Sequence, residues 1–184
     1  MCIRDSVLHA GPYQDIVGEE AYAARLAPLF RKYGDHYTML GTLHGEELAA
    51  FYASLNVLCI SSLNSTESFG LVQIEAMRNG VPVAACNLPG VRQPVTMTGM
   101  GEVFAIGDHE ELAAAIIKIL RHRQHYVRDV QLISDSFHPQ QTAAEYVSLF
   151  ENLRNSKQDK YTAEPPVYER LRAMRDRMAR NYSG

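Results

Sequence analysis

The sequence predicts an α/β fold in which a parallel sheet carries helices on both faces. Short apolar runs alternate with longer stretches in which apolar residues recur at helical spacing. The runs at residues 56–61 and 81–86 are apolar over most of their length, which is typical of strands covered on both faces. Gly34, Gly80 and Pro82 stop the helical patterns that precede them. This alternation indicates right-handed strand–helix–strand units and therefore parallel strands.

Each element has a local justification. Residues 17–33 carry Ala, Leu and Phe at helical spacing, and Asp108 followed by Glu111 forms a capping-box pattern that opens a helix. The predicted strands are residues 7–11, 37–41, 56–61, 81–86 and 101–106. The predicted helices are residues 17–33, 45–54, 69–79, 108–123 and 141–154, with a tail helix from residue 167. The helix at 141–154 is amphipathic, with an apolar stripe formed by Ala143, Tyr146, Phe150 and Leu153.

The composition bounds the classes of function. The 184 residues are 46% hydrophobic and 21% charged, as in a globular protein of about one to one and a half domains. Lys and Arg number 18 against 21 Asp and Glu, so the net charge of −3 gives no electrostatic basis for binding nucleic acid. No apolar run approaches the ~20 residues of a membrane-spanning helix. Three cysteines without a close pair argue against disulfides and favour a reducing, cytoplasmic compartment.

The segment NSTESFGLVQIEAM at residues 64–77 carries the chemistry. It follows a predicted buried strand and opens a helix. It therefore lies at the carboxyl edge of the predicted sheet, where parallel sheets bind their ligands. Glu67 and Glu75 lie eight residues apart, so both carboxylates can reach one crevice at different depths. Gly70 lets a ligand approach the backbone, and the amides of residues 69–71 are expected to be unpaired donors suited to a phosphate. Anion donors beside two hydroxyl acceptors suit a sugar nucleotide.

Simpler interpretations stand beside this one. A pair of glutamates at a helix start, taken alone, more often complements the helix dipole at the surface. Gly90 and Arg92 lie in the loop after residues 81–86, and either could contact the substrate. The alternative for Gly90 is a purely structural role in a turn. The alternative for Arg92 is a solvated surface charge. The side chains expected in the core are Phe69, Val72, Ile74 and Met77.

An ordered series of landmarks resembles the retaining GT-B glycosyltransferases of the family-4 type. ESFGLVQIEAM at residues 67–77 is followed by GVPVAA at 80–85 and LPGVRQPV at 88–95. The further landmarks are GTLHGEELAAFYASLNVL at 41–58, TGMG at 98–101, IGDHEELAAAI at 106–116 and FHPQQTAAEYVSLFENL at 137–153. The resemblance covers roughly residues 7–154. It implies the C-terminal half of a GT-B fold, a Rossmann-like domain that binds a nucleotide sugar.

The resemblance also implies an activity and a site. The activity is transfer of a hexose from a UDP- or GDP-sugar with retention of configuration, without a metal or other cofactor. By motif match, Glu67 is the catalytic residue and binds the donor sugar's hydroxyls, and Glu75 binds the ribose hydroxyls. The other donor-binding residues implied are Ser68, Phe69, Gly70 and Leu71 beside the sugar and diphosphate, and Thr42, Leu43 and His44 beside the base.

The same resemblance implies that parts of an enzyme are missing. A complete donor domain begins with another strand and helix, which carry an Arg and a Lys for the diphosphate, and an N-terminal domain holds the acceptor. We therefore expect residues 7–155 to be a partial donor domain that is inactive alone, and residues 1–6 to be a cloning or sequencing artefact. The alternative is a non-catalytic nucleotide-binding module that works with a partner chain. A dehydrogenase is disfavoured because no G-x-G-x-x-G follows a strand.

The tail at residues 156–184 combines a polar linker with a basic helix. Residues 157–184 hold seven basic and four acidic groups, a net charge of +3 that leaves −6 on the rest. In one interpretation the arginine-rich helix lies peripherally on the anionic inner face of a membrane, which would fit a lipid-linked acceptor. In the other it is solvated, or packs on the missing N-terminal domain. The sequence does not identify the acceptor, whether a sugar or a lipid-linked one.

Overall fold

The computed structural model describes residues 6–13, 18, 20–34, 36–64, 67–155 and 166–181. They belong to two compact units, divided between Phe51 and Tyr52. Both units contain parallel strands and helices, so the predicted α/β fold with parallel sheets flanked by helices is confirmed. Most of the segment at residues 1–6 and of the linker after residue 155 lies outside the described residues, and the domain boundaries stay predictions.

The first unit contains a two-stranded parallel sheet. Strand β1 (Val7–Ala10) pairs with β2 (Tyr37–Gly41), and helix α1 (Glu20–Lys32) connects them. Helix α2 (Gly45–Ser54) begins in this unit, and its residues from Tyr52 onward belong to the second. All four elements were predicted from the sequence.

The second unit is built on a three-stranded parallel sheet. Strands β3 (Leu58–Ile60), β4 (Val83–Cys86) and β5 (Gly101–Phe104) lie side by side in chain order, with β4 in the centre. Consecutive strands in this order form one half of a doubly wound sheet. The helices are α3 (Leu71–Arg78), α4 (Gln93–Thr98), α5 (His109–Arg121), α6 (Val130–Ser136), α7 (Pro139–Asn155) and α8 (Pro166–Asn181), with a 3₁₀ turn at Arg123–His125.

The core of this unit surrounds β4. Every residue of β4 is fully buried, as its uninterrupted apolar run predicts for a strand covered on both faces. The fully buried side chains of this unit also include Met77, Val91, Met100, Ile119 and Ile133. Ile74 and Met77 therefore lie in the core as expected. Val72 is 40% exposed, so the prediction that it is a core residue is wrong. Phe69 is half-buried and therefore lies at the margin of the core.

The helix starts and short helices show where sequence patterns mislead. Asp108 caps α5 as predicted, accepting from the amides of Glu110 at 3.0 Å and Glu111 at 2.9 Å. The Glu111 carboxylate does not complete a capping box, because it accepts instead from the Ala105 amide at 2.7 Å. Helices α4 and α6 were not predicted, since each spans fewer than two full turns and shows no clear apolar period.

The two C-terminal helices behave differently from each other. Helix α7 forms as predicted, but it has no buried residue and its apolar stripe is exposed. Helix α8 packs on α4 and α6, with Leu171 and Met174 buried. An Arg175 guanidinium nitrogen donates to the Thr96 carbonyl at 3.1 Å. The expectation that the tail helix packs on nothing is therefore wrong, because Leu171 and Met174 are covered by this unit. Packing on a missing domain stays a prediction.

The packing of α8 limits which tail side chains could contact a membrane. Leu171 and Met174 are buried, so these two side chains are not available to enter a bilayer. Peripheral membrane contact through the basic tail stays a prediction. Among the helices of the described residues, none combines the length and apolar character needed to cross a bilayer.

Candidate functional site

Three loops meet at the carboxyl edge of the β3–β4–β5 sheet. They are the β3–α3 loop, of which the structure describes residues 61–64 and 67–70, the β4–α4 loop at 87–92 and the β5–α5 loop at 105–108. A Cβ built on Gly107 would lie 3.9 Å from a methyl carbon of Leu63, so the first and third loops are in van der Waals contact. This is the edge at which parallel sheets bind their ligands.

The first two loops are in closer contact at Gly90. A Cβ built on Gly90 would lie 1.5 Å from the carbonyl oxygen of Ser68 and 2.7 Å from its carbonyl carbon. No side chain fits in that space, so glycine is required for the two backbones to approach. Gly90 lies in a turn, as one of the two alternatives had it, and the close approach to Ser68 is the reason why this turn needs glycine. Contact of Gly90 with substrate stays a prediction.

A buried glutamine ties the same loops together. Gln73, on α3, is fully buried, and its side-chain amide nitrogen donates to the carbonyls of Phe69 and Val91, both at 2.9 Å. Gly70 caps α3 with φ 74° and ψ 66°, and a Cβ there would lie 2.7 Å from the same nitrogen. Glycine is therefore favoured at position 70 for two reasons: the backbone is left-handed, and the Gln73 side chain lies where a Cβ would be. The Gln73 side-chain oxygen is buried and has no partner among the described residues.

The start of α3 leaves backbone donors free. Among the described residues, the amides of Phe69, Gly70 and Leu71 donate to no other group, whereas the Gln73 amide is bonded to the Gly70 carbonyl at 2.9 Å. Free amides at a helix start carry partial positive charge and favour an anion. The loop contacts at Gly90 and Gln73 fix this stretch of backbone.

Glu75 lies one turn into α3 and is held by a tyrosine. The Tyr52 hydroxyl donates to a Glu75 carboxylate oxygen at 2.6 Å. Tyr52 is 6% exposed, whereas Glu75 is exposed. Burial first, and then the bond to Glu75 and its charge, raise the pKa of Tyr52, so the phenol stays a proton donor well above neutral pH. Tyr52 thus holds one oxygen of the Glu75 carboxylate, while Glu75 remains exposed to solvent.

Glu67 and Ser68 lie just before the helix in the β3–α3 loop. Glu67 is half-buried, and its carboxylate forms no hydrogen bond or ion pair with another described residue. Ser68 is exposed, and its carbonyl faces Gly90. The loop therefore presents an uncommitted carboxylate beside the free amides of α3.

The segment predicted to lie beside the base belongs to the first unit. Thr42, Leu43 and His44 follow β2, with Thr42 and His44 exposed and Leu43 half-buried. They occupy the carboxyl end of a parallel strand, as predicted. The structure describes each unit by itself, so the grouping of these residues with Glu75 stays a prediction.

Arg92 is not simply a solvated charge. Its guanidinium donates to the side-chain oxygen of Asn87 at 2.9 Å, which closes the β4–α4 loop on itself. Contact of Arg92 with substrate stays a prediction. In the part of the chain that the structure describes, no group of three or more His, Cys, Asp and Glu could hold a metal ion.

Two residues that organise the site had no role in the sequence analysis. Tyr52 is 23 positions from Glu75, and Gln73 bonds a carbonyl 18 positions away. Gln73 could have been suspected, because it lies on the same helix face as the apolar residues Phe69, Ala76 and Met77. Nothing in the sequence marks Tyr52, since a tyrosine on the apolar side of a helix is ordinary.

Known proteins share the sequence and the fold. A phosphatidyl-myo-inositol mannosyltransferase of Mycobacterium leprae is 34% identical over 96 residues, which are 50% of this chain and 25% of that protein. The structure of sucrose-phosphate synthase from Thermosynechococcus elongatus superposes with a TM-score of 0.63 and 28% identity, over 80% of this chain and 38% of that one. Anabaena HepE, solved in complex with UDP, has a TM-score of 0.59 over 78% of this chain and 41% of its own; at 23% identity it supports the fold alone.

These matches set both the family and the extent of the likeness. The chain spans about a quarter of the length of the curated relatives it matches. Its solved neighbours are GT-B glycosyltransferases, as the landmarks implied. The model of the glycosyl transferases group 1 family matches residues 11–131, well over half of the sequence. The chain therefore belongs to the glycosyl transferases group 1 family.

Proposed function

We propose that this chain carries the donor-binding part of a retaining glycosyltransferase of the family-4 type. It would bind a UDP- or GDP-hexose, and the enzyme to which it belongs would transfer the hexose with retention of configuration. The observation that carries the proposal is the start of α3. There, free backbone amides lie between Glu67 and Glu75 at the carboxyl edge of a parallel sheet. Membership of the group 1 family supports the same activity.

The geometry suits a departing nucleoside diphosphate. As the bond to the sugar breaks, negative charge develops on the diphosphate and positive charge on the sugar ring. The amides of residues 69–71, at the positive end of α3, would stabilise the leaving group. Because Gly90 and Gln73 hold this backbone in place, the donors need little reorganisation during the reaction.

The two carboxylates have separate roles in the proposal. Glu67, which has no partner in the described part of the chain, would accept from hydroxyls of the hexose. Glu75, already oriented by Tyr52, would accept from the ribose hydroxyls. A carboxylate has about four lone-pair sites, so the bond from Tyr52 leaves room for both ribose hydroxyls.

Transfer would also need an acceptor site outside this chain. The relatives are about four times longer than the part they share with it, and we propose that the acceptor-binding domain lies in the remainder. The 184 residues alone would therefore bind a donor nucleotide but transfer no sugar.

Binding by the chain and two variants tests the proposal. We expect UDP or GDP, and the matching hexose conjugate, to bind in the millimolar range or tighter by NMR titration. Glu75→Ala should weaken the nucleotide and its conjugate equally, by about tenfold, because both contain ribose. Glu67→Ala should weaken only the conjugate, because its partner is the hexose.

A carboxylate elsewhere provides the control. Glu110 is exposed in the first turn of α5, and Glu110→Ala should change neither affinity. Absence of binding by all four ligands, or unchanged affinities in both site variants, would contradict the proposed function.

A further inference from the structure

Glu75 is one of two carboxylates in this unit that accept from a buried tyrosine. The Tyr52 hydroxyl donates to Glu75 at 2.6 Å, and the Tyr126 hydroxyl donates to Glu102 at 2.5 Å. Both tyrosines are nearly buried, at 6% and 8% exposed. Distances near 2.6 Å are typical of a hydroxyl bonded to an ionised carboxylate, which is among the stronger hydrogen bonds in proteins.

The two pairs differ in what else the carboxylate does. Glu102, on β5, also forms an ion pair with the Lys118 ammonium group at 2.9 Å. Glu75 has no second side-chain partner among the described residues, and it is exposed on the helix whose start carries the free amides. The Glu102 carboxylate is thus engaged by two side chains of the protein, whereas the Glu75 carboxylate still has an oxygen that can accept from a ligand.

A glutamate on an exposed helix face normally samples several rotamers. A hydroxyl that holds one oxygen removes most of that freedom before a ligand arrives, and ligands bind more tightly to groups that are already in place. Because a phenol has a single proton, Tyr52 occupies one Glu75 oxygen at a time and leaves the other free to accept from a ligand.

We propose that Tyr52 is a positioning residue for ribose recognition, orienting Glu75 so that its carboxylate accepts from the two ribose hydroxyls of the donor nucleotide. The inference rests on the proposed function and adds a residue to it. A buried phenol also needs a partner for its own sake, so the test must separate ribose recognition from stability.

Nucleotides with and without ribose hydroxyls make that separation. UDP, GDP and their 2′,3′-dideoxy forms are titrated against the 184-residue chain and against Tyr52→Phe, which removes only the hydroxyl. We expect Tyr52→Phe to weaken the ribonucleotide by about three- to tenfold and the dideoxynucleotide by less than about twofold. Equal weakening of both forms, or of neither, would overturn the inference.

Tyr126→Phe is a matched control, because it removes a bond of the same type from a tyrosine of similar burial. It should lower the melting temperature about as much as Tyr52→Phe and leave all four affinities unchanged. A selective loss of ribonucleotide binding in Tyr126→Phe would count against a specific role of Tyr52.

Two further measurements keep the outcomes distinct. If Glu75→Gln leaves ribonucleotide binding unchanged, the proposed function fails; if it weakens binding and Tyr52→Phe does not, only the positioning role fails. In the unmutated chain carrying ¹³Cζ-tyrosine, the ribonucleotide should shift the Tyr52 resonance and the dideoxy form should not. This second readout holds even if Tyr52→Phe does not fold, and shifts of equal size with both ligands would refute the inference.

Discussion

Substituting Gly90 by alanine tests whether contact between two loops shapes the site. A Cβ at this position would lie 1.5 Å from the Ser68 carbonyl oxygen, whereas real Cβ contacts are almost never under 3.0 Å. The two backbones must therefore separate by about 1.5 Å at least. The φ of Gly90 lies outside the left-handed region, so alanine brings no backbone strain of its own. The whole effect is steric.

The displacement has two expected consequences. Overpacking of this kind costs about 2 kcal/mol, which corresponds to a fall in melting temperature of roughly 4–8 °C for a chain of this size. Moving the β3–α3 loop by more than 1 Å should also weaken nucleotide binding by at least about tenfold. Thermal unfolding and NMR titration with UDP and GDP measure the two effects.

Gly34 offers a matched control. Its φ is also outside the left-handed region, and a Cβ there would lie 3.3 Å from the Phe30 carbonyl oxygen, a contact relieved by a few tenths of an ångström. Gly34→Ala should leave nucleotide binding unchanged. A Gly90→Ala chain with unaltered melting temperature and affinity would refute the claim that the loops are in close backbone contact.

The remaining predictions concern stability. Gln73→Leu leaves two carbonyls without their donor and should cost about 2–4 kcal/mol in urea unfolding. Asp108→Ala removes the cap of α5 and should cost about 1 kcal/mol, while Glu110→Ala, whose side chain does not cap the helix, should cost less than half of that. Burial and carboxylate bonds raise the pKa values of Tyr52 and Tyr126 above 10.0. The folded chain therefore keeps two phenol protons that the unfolded chain releases above about pH 10. The contribution of these two tyrosines to the free energy of unfolding is complete below that pH and is lost as the pH rises further. Tyr52→Phe should flatten the decline in the free energy of unfolding that is measured as the pH rises above about 10.

The fold was predictable because it depends on local patterns. Strand β4 is an uninterrupted apolar run, and its full burial follows from that run. Helix α3 was predicted from its apolar spacing and from Gly80 beyond its end, and it forms at Leu71–Arg78. Helix α4 escaped prediction because its six residues are shorter than the window in which a period can be recognised.

The site was predictable only in part, because several of its contacts join distant residues. Glu67, Gly70 and Glu75 belong to one continuous segment, which the sequence singles out. The bond from Tyr52 to Glu75 and the approach of Gly90 to Ser68 each depend on how two separate elements pack. Packing of this kind leaves no periodic trace in a single sequence. The arginine-rich tail misled for the same reason, since the cover over Leu171 comes from helices far away along the chain.

A crystal structure of the chain grown with UDP or GDP tests the central claim most directly. The proposed function predicts the diphosphate at the amides of Phe69, Gly70 and Leu71, with the ribose hydroxyls within hydrogen-bond distance of Glu75. A nucleotide bound elsewhere on the chain, or one whose ribose makes no contact with Glu75, would contradict it.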